Sequence, residues 1–70
     1  MDIEGVDRFW VKAVIGQDGR RATVLAVMTA VPLHPVQPGH DPARAARLMD
    51  ALEEARRRHG FDAVEVLNGG

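Results

Sequence analysis

The sequence predicts an α+β fold with the element order ββαβ, in which one helix packs on one face of a three-stranded sheet. Two apolar runs, residues 6–15 and 21–31, flank an Asp-Gly pair and predict a β-hairpin. A proline-rich connection then leads to residues 42–59, where apolar side chains recur at helical spacing. A final run, residues 61–67, alternates valine with glutamate and predicts a third strand. We expect a single domain over residues 1–70.

The turn of the hairpin sets the pairing of the first two strands. Asp18-Gly19 predicts a two-residue type I′ turn, since that turn needs positive φ at both central residues. Ile15 then faces Ala22, although a bulge at the turn would shift this register. We expect the helix to dock on the alanine-rich face formed by Phe9, Val11, Ala13, Val24, Ala26 and Met28.

The opposite, open face of the hairpin is mixed, because apolar side chains stand on it beside charged side chains and the hydroxyls of Thr23 and Thr29. A face exposed only to water is normally more polar, and tryptophan is a frequent anchor of protein interfaces. We therefore expect a homodimer that forms through the open face, with Arg8, Trp10, Lys12, Val14, Leu25 and Val27 as its interface residues.

The helix has clear start and stop signals. Asp41 is expected to cap it, with Pro42 at its first position, and Gly60 is expected to end it in the left-handed conformation. Phe61 stands where a contact back onto the last helical turn is expected. The stripe that should face the sheet consists of Ala45, Leu48, Met49, Leu52 and Ala55, with Leu48 and Leu52 deepest.

The third strand has two possible places. It can pair antiparallel with the first strand or parallel with the second, and the sequence does not decide between them. In either place Val64 and Val66 should face the helix. Glu65 then lies on the open face, within reach of Lys12 or Arg8.

The composition excludes several classes of function. Without cysteine, serine or tyrosine, the chain has no residues for a disulfide, a thiolate metal site or a Ser- or Cys-based nucleophile. We therefore expect no enzymatic activity and no cofactor. The net charge of −1 argues against an anionic membrane or a nucleic acid as partner, including one bound by Arg20, Arg21, Arg44 and Arg47.

The same composition suggests a bacterial or phage origin, because alanine, arginine, valine and glycine are abundant. The acidic start of the chain is unlike a signal peptide, so we expect a cytoplasmic protein. Residues 1–5 show no periodicity, and we expect them to form a frayed arm.

Two sets of residues are candidate ligand sites. His34, His40 and Asp41 share the proline-rich loop, but their spacing matches no metal-ligand pattern, so we expect no metal. Arg44 and Arg47 lie in the first turns of the helix, where positive charge opposes the helix dipole. We expect ordinary solvated arginines here, with an acidic partner or an anion as the alternative.

The sequence ends in Gly69-Gly70, after a hairpin followed by a helix. In these two features the chain resembles ubiquitin-like proteins and bacterial sulfur carriers. The resemblance implies a carrier whose terminal carboxylate, on Gly70, is activated by adenylation. The chain departs from that family because one strand follows the helix and only Asn68 separates Leu67 from the glycines. This carrier is the alternative to a regulatory, accessory or phage-type interaction module.

Overall fold

The computed structural model describes residues 2–68, which form a three-stranded mixed sheet with one helix on one face. The elements are β1 (Arg8–Ile15), β2 (Arg21–Thr29), α1 (Pro42–His59) and β3 (Ala63–Asn68). Strand β2 is central, because it pairs antiparallel with β1 and parallel with β3. The predicted ββαβ order is confirmed, and of the two places open to the third strand the chain uses the parallel one.

The turn between β1 and β2 contains three residues, not two. The Gly16 amide donates to the Arg20 carbonyl (2.8 Å), and the Gly19 amide donates to the Gly16 carbonyl (3.0 Å). Gly19 has a φ of 79°, whereas no residue other than glycine has a positive φ between residues 2 and 68. A type I′ turn would need positive φ at Asp18 as well. The Asp18 carboxylate instead accepts a hydrogen bond from the Arg20 amide (3.0 Å).

The longer turn shifts the hairpin register by one residue from the predicted one. Ile15 faces Arg21, and Val11 faces Leu25. A one-residue shift exchanges the two faces of a strand relative to its neighbour. The expectation that Ile15 faces Ala22 is therefore wrong, and so is the assignment of β2 residues to the two faces.

Helix α1 packs on the face of the sheet that carries Leu25 and Val27. Both side chains are fully buried, in one cluster with Leu48 and Leu52 of the helix. Alternate side chains of a strand point to opposite faces. The β2 residues expected to face the helix therefore lie on the open face, and the assignment was wrong for Val24, Ala26 and Met28.

The face assignment is correct on the two outer strands. Phe9 faces Val27, so Phe9, Val11 and Ala13 lie on the helix side of β1. On β3, Val64 and Val66 pack against the buried cluster, as expected.

The predicted helix signals are confirmed. The Asp41 carboxylate accepts a hydrogen bond from the Ala43 amide (3.1 Å), and Gly60 ends the helix with a φ of 74°. Leu48 and Leu52 are buried, as expected of the deepest contacts. Met49 is the exception in the predicted stripe, because it is 46% exposed.

Residues 2–5 of the N-terminal arm are part of the fold, which corrects the expectation of a frayed segment there. The Thr29 hydroxyl donates to the Gly5 carbonyl (2.6 Å) and accepts from the Val31 amide (3.0 Å). Ile3 and Val6 pack against the buried cluster. Thr29 itself is buried and shares a face with Leu25 and Val27, so its expected place on the open face is wrong as well.

Candidate functional site

Strand β1 is the candidate binding element, because it is exposed on both faces. One helix is about 10 Å wide and strands lie about 4.8 Å apart, so it covers roughly two strands. Helix α1 lies over β2 and β3, and β1 is left without cover. Eight large apolar side chains are exposed between residues 2 and 68, and five of them lie on β1: Phe9, Trp10, Val11, Val14 and Ile15.

The centre of the open face is covered by side chains of the chain itself. Trp10 faces Ala26 and Lys12 faces Val24 across the hairpin. The Lys12 ammonium lies 2.5 Å from the Glu65 carboxylate on β3, so the pair spans the central strand. Ala26 below them is fully buried. The expected contact of Glu65 is confirmed with Lys12, and the exposed apolar area of this face is concentrated on β1.

The structure divides the six residues predicted for the interface into two groups. Leu25 and Val27 are buried beneath the helix and are not available on the open face, which corrects their assignment. Met28 and Leu67 also lie on the open face, where they face each other across β2 and β3, although the sequence pattern did not indicate them. The remaining four do lie together on the open face: Arg8, Trp10, Lys12 and Val14.

Arg44 and Arg47 lie beside acidic residues of their own chain. They line a cavity of about 300 Å³ between α1 and the N-terminal arm, and Asp2 and Glu4 line the same cavity. The cavity is therefore lined by charges of both signs. An external anion or acidic partner at this place stays a prediction.

The loop residues considered as metal ligands have structural roles. The His40 ring nitrogen Nδ1 lies 3.0 Å from the Pro32 carbonyl oxygen, and the Asp41 carboxylate caps the helix. His34 is exposed, and its amide donates to the Gln37 side chain (2.8 Å). Between residues 2 and 68, no three His, Cys, Asp or Glu side chains are grouped so that they could hold a metal ion.

The charged end of α1 stabilises the helix terminus. The Arg56 guanidinium donates to both oxygens of the Glu53 carboxylate (2.9 and 2.7 Å) and to the Phe61 carbonyl (3.1 Å). The hydrogen bond from Arg56 lowers the pKa of Glu53, and the same bond raises the pKa of Arg56. Arg56 thus ties the last helical turn to the segment that leads into β3.

Glu53→Gln is expected to lower the melting temperature slightly at neutral pH and to have no effect in strong acid. The pKa of Glu53 is lowered by folding, so its contribution is present above the unfolded-state pKa and is lost as the pH falls through the folded-state pKa. The effect is small because the pair is exposed to solvent. Thermal unfolding across acidic to neutral pH measures it, with Glu54→Gln as the matched variant that removes a single hydrogen bond to Arg58. A difference from wild type that persists unchanged in acid contradicts it.

No protein-family model, curated protein or solved structure matches the chain. Gly69 and Gly70, on which the carrier hypothesis rests, lie outside the described residues, and that hypothesis stays a prediction. Asn68 before them is fixed, since its side-chain Nδ2 donates to the backbone carbonyls of Thr29 (3.2 Å) and Val31 (2.8 Å). Residues 2–68 contain no helix with the length and apolar character needed to cross a membrane.

Proposed function

We propose that the protein is a small, non-enzymatic protein-interaction module that acts as a homodimer in the cytoplasm and binds through the surface around Trp10. The observation that carries the proposal is the concentration of exposed apolar side chains on β1. Single exposed apolar residues are ordinary on protein surfaces, whereas contiguous ones indicate an interaction site.

The chemistry of this surface favours a protein partner. Trp10 is 39% exposed and combines a large apolar ring with an indole N–H, the combination that is enriched at the centre of protein interfaces. Val14 lies on the same face of the strand. The overall charge is close to neutral, so the chain offers no strong electrostatic attraction for a polyanion.

A second copy of the chain is the partner that the size of the protein favours. A domain of 70 residues buries a smaller fraction of its surface than a larger domain does. The chain contains no cysteine, so a disulfide bond cannot stabilise it. Association then stabilises the folded state, because the dimer forms only from folded chains. A dimer also covers the apolar side chains of β1 that α1 leaves exposed.

The wild-type protein is expected to have the mass of a dimer in light scattering at micromolar concentration, and Trp10→Asp is expected to be monomeric where the open face forms the contact. A buried aspartate at the centre of an interface loses its hydration without gaining a partner. Val36→Asp is the matched control, because Val36 is a 91% exposed apolar residue of the proline-rich loop, away from β1. A wild type that stays monomeric at high micromolar concentration contradicts the homodimer.

A further inference from the structure

Strand β1 has a free edge. In the sheet of residues 2–68 the strand order is β1-β2-β3, so β1 has a neighbour on one side only. The Gly16 amide bonds the Arg20 carbonyl, and bonded and non-bonded positions alternate along an antiparallel pair. The even-numbered residues of β1 therefore bond to β2. The backbone amides and carbonyls that point to the free edge belong to the odd-numbered residues Phe9, Val11, Ala13 and Ile15.

The side chains of these outward-bonding residues are also apolar. They lie on the helix side of the sheet, and α1 leaves them uncovered: Val11 is 53% exposed and Ile15 is 68% exposed. Exposed strand edges are normally protected by proline, by charge or by a covering segment, because they pair readily with other chains. On its helix-side face this edge carries neither a charge nor a proline over Arg8–Ile15.

The charges of β1 select one register for pairing with a second copy. Each register of a two-fold antiparallel strand pair is defined by the residue through which the two-fold axis passes. An axis at Trp10 places Arg8 opposite Lys12 of the partner subunit, and an axis at Lys12 places the two copies of this lysine opposite each other. Like charges directly opposite are destabilising. A two-fold axis at Phe9 or at Ala13 avoids these like-charge pairs but leaves much of the strand unpaired.

A two-fold axis at Val11 pairs the two strands over residues 8–14 and places no like charges directly opposite each other. Phe9 then faces Ala13 of the partner subunit, and Arg8 faces Val14 of the partner subunit. Trp10 faces Lys12 of the partner subunit, so the indole ring lies beside the aliphatic part of a lysine whose ammonium is bound to Glu65 of its own chain, and the two-fold axis produces this contact twice. Strand β1 can therefore pair with itself about Val11 over nearly its full length without placing like charges directly opposite each other.

We propose that the homodimer forms by antiparallel pairing of β1 with β1 of a second copy, with the two-fold axis at Val11, to give a continuous six-stranded sheet. This inference rests on the homodimer of the proposed function and moves its contact from the open face to the edge of β1, where an aspartate at position 10 would face Lys12 of the partner subunit and leave the dimer intact. The outward amides and carbonyls of β1 gain hydrogen-bond partners, and both helices lie on the same side of the sheet. The apolar side chains of Phe9, Val11 and Ala13 gain the same side chains of the second copy as lateral neighbours on that face.

Cysteine cross-linking tests the register. The sequence contains no native cysteine, so an introduced cysteine can form a disulfide only with its copy in the second chain. Val11→Cys places two thiols on the axis, where paired Cα atoms lie about 5.5 Å apart and a disulfide can form. Ile15→Cys is the matched control on the same face, since its copies would be about 27 Å apart at about 3.4 Å per residue. Under mild oxidation, disulfide-linked dimer is expected for Val11→Cys and not for Ile15→Cys.

A pair of charge variants tests the edge without relying on cross-linking. Val11→Lys places like charges opposite each other on the axis, and loss of the dimer in light scattering is expected. Ile15→Lys introduces the same charge opposite Asp7 of the partner subunit, and the dimer is expected to persist. Both positions are exposed in the folded chain, so neither change disturbs the buried cluster.

The outcomes separate this inference from the proposed function. Loss of the dimer in Val11→Lys, together with a disulfide-linked dimer in Val11→Cys, supports pairing through the edge. A wild-type dimer that tolerates Val11→Lys, or a Val11→Cys variant that forms no cross-link, overturns the edge geometry and leaves a homodimer formed through the open face. A monomeric wild type overturns both.

Discussion

Leu52→Ala is expected to lower the free energy of unfolding by about 2–5 kcal/mol, from lost transfer energy and the cavity left behind. Leu52 is 1% exposed and packs in the cluster with Leu25 and Val27. A domain of this size has a total stability of about 4–10 kcal/mol. The substitution therefore removes a large share of the stability and is expected to leave part of the population unfolded. Urea denaturation followed by Trp10 fluorescence measures the change.

Met49→Ala is the matched control for this prediction. Met49 lies in the same helix but is 46% exposed, and substitutions at such positions usually change stability by about 0.5 kcal/mol or less. Equal losses in the two variants would show that the helix does not bury the face assigned to it. A loss confined to Leu52→Ala would establish that α1 docks on Leu25 and Val27.

The helix could be predicted from the sequence because its signals are local. Asp41 and Gly60 act through the backbone of their own neighbours, and the spacing of Leu48 and Leu52 defines the buried stripe without reference to the rest of the chain. Met49 is wrongly included in the stripe that faces the sheet, because helical spacing alone does not separate the centre of an apolar stripe from its margin. Whether a marginal residue is covered depends on the element that the helix meets.

The hairpin register could not be predicted in the same way. Asp18-Gly19 suits both a two-residue turn and a three-residue turn with glycine in the left-handed position, and the two differ by one residue in pairing. Alternation along β2 does not correct the error, because β2 is the central strand and is buried on both faces at residues 24–27. Leu25 and Val27 were therefore assigned to the wrong face.

The exposure of β1 is a consequence of tertiary packing. Its sequence contains aromatic and β-branched residues on both faces, a pattern that is typical of a buried strand. The parallel pairing of β3 with β2 draws the helix over those two strands, and this pairing was left open by the sequence. Trp10 and Val14 were still identified, because their place on the open face does not depend on the register of β2.

Thr29→Val is expected to lower the free energy of unfolding by about 1–3 kcal/mol, even though the two side chains have nearly the same shape. The Thr29 hydroxyl bridges the Gly5 carbonyl and the Val31 amide, and the site is buried. Valine fills the space but leaves both backbone groups without this partner, and an unsatisfied buried polar group costs free energy. The same bridge fastens the N-terminal arm to β2, so its loss is also expected to loosen Ile3 from the buried cluster.

Thr29→Ser separates the hydrogen bonds from the packing. Serine keeps the hydroxyl and removes one methyl group, a loss of about 0.8 kcal/mol. Because the loss expected for Thr29→Ser is close to the lower end of the loss expected for Thr29→Val, the decisive measurement is hydrogen exchange at the Val31 amide. Faster exchange in Thr29→Val, with protection retained in Thr29→Ser, is the expected result. If Thr29→Val keeps the stability of the wild type and the same protection of the Val31 amide from exchange, the prediction is wrong. The apolar contacts of Ile3 and Val6 would then hold the N-terminal arm without the Thr29 hydrogen bonds.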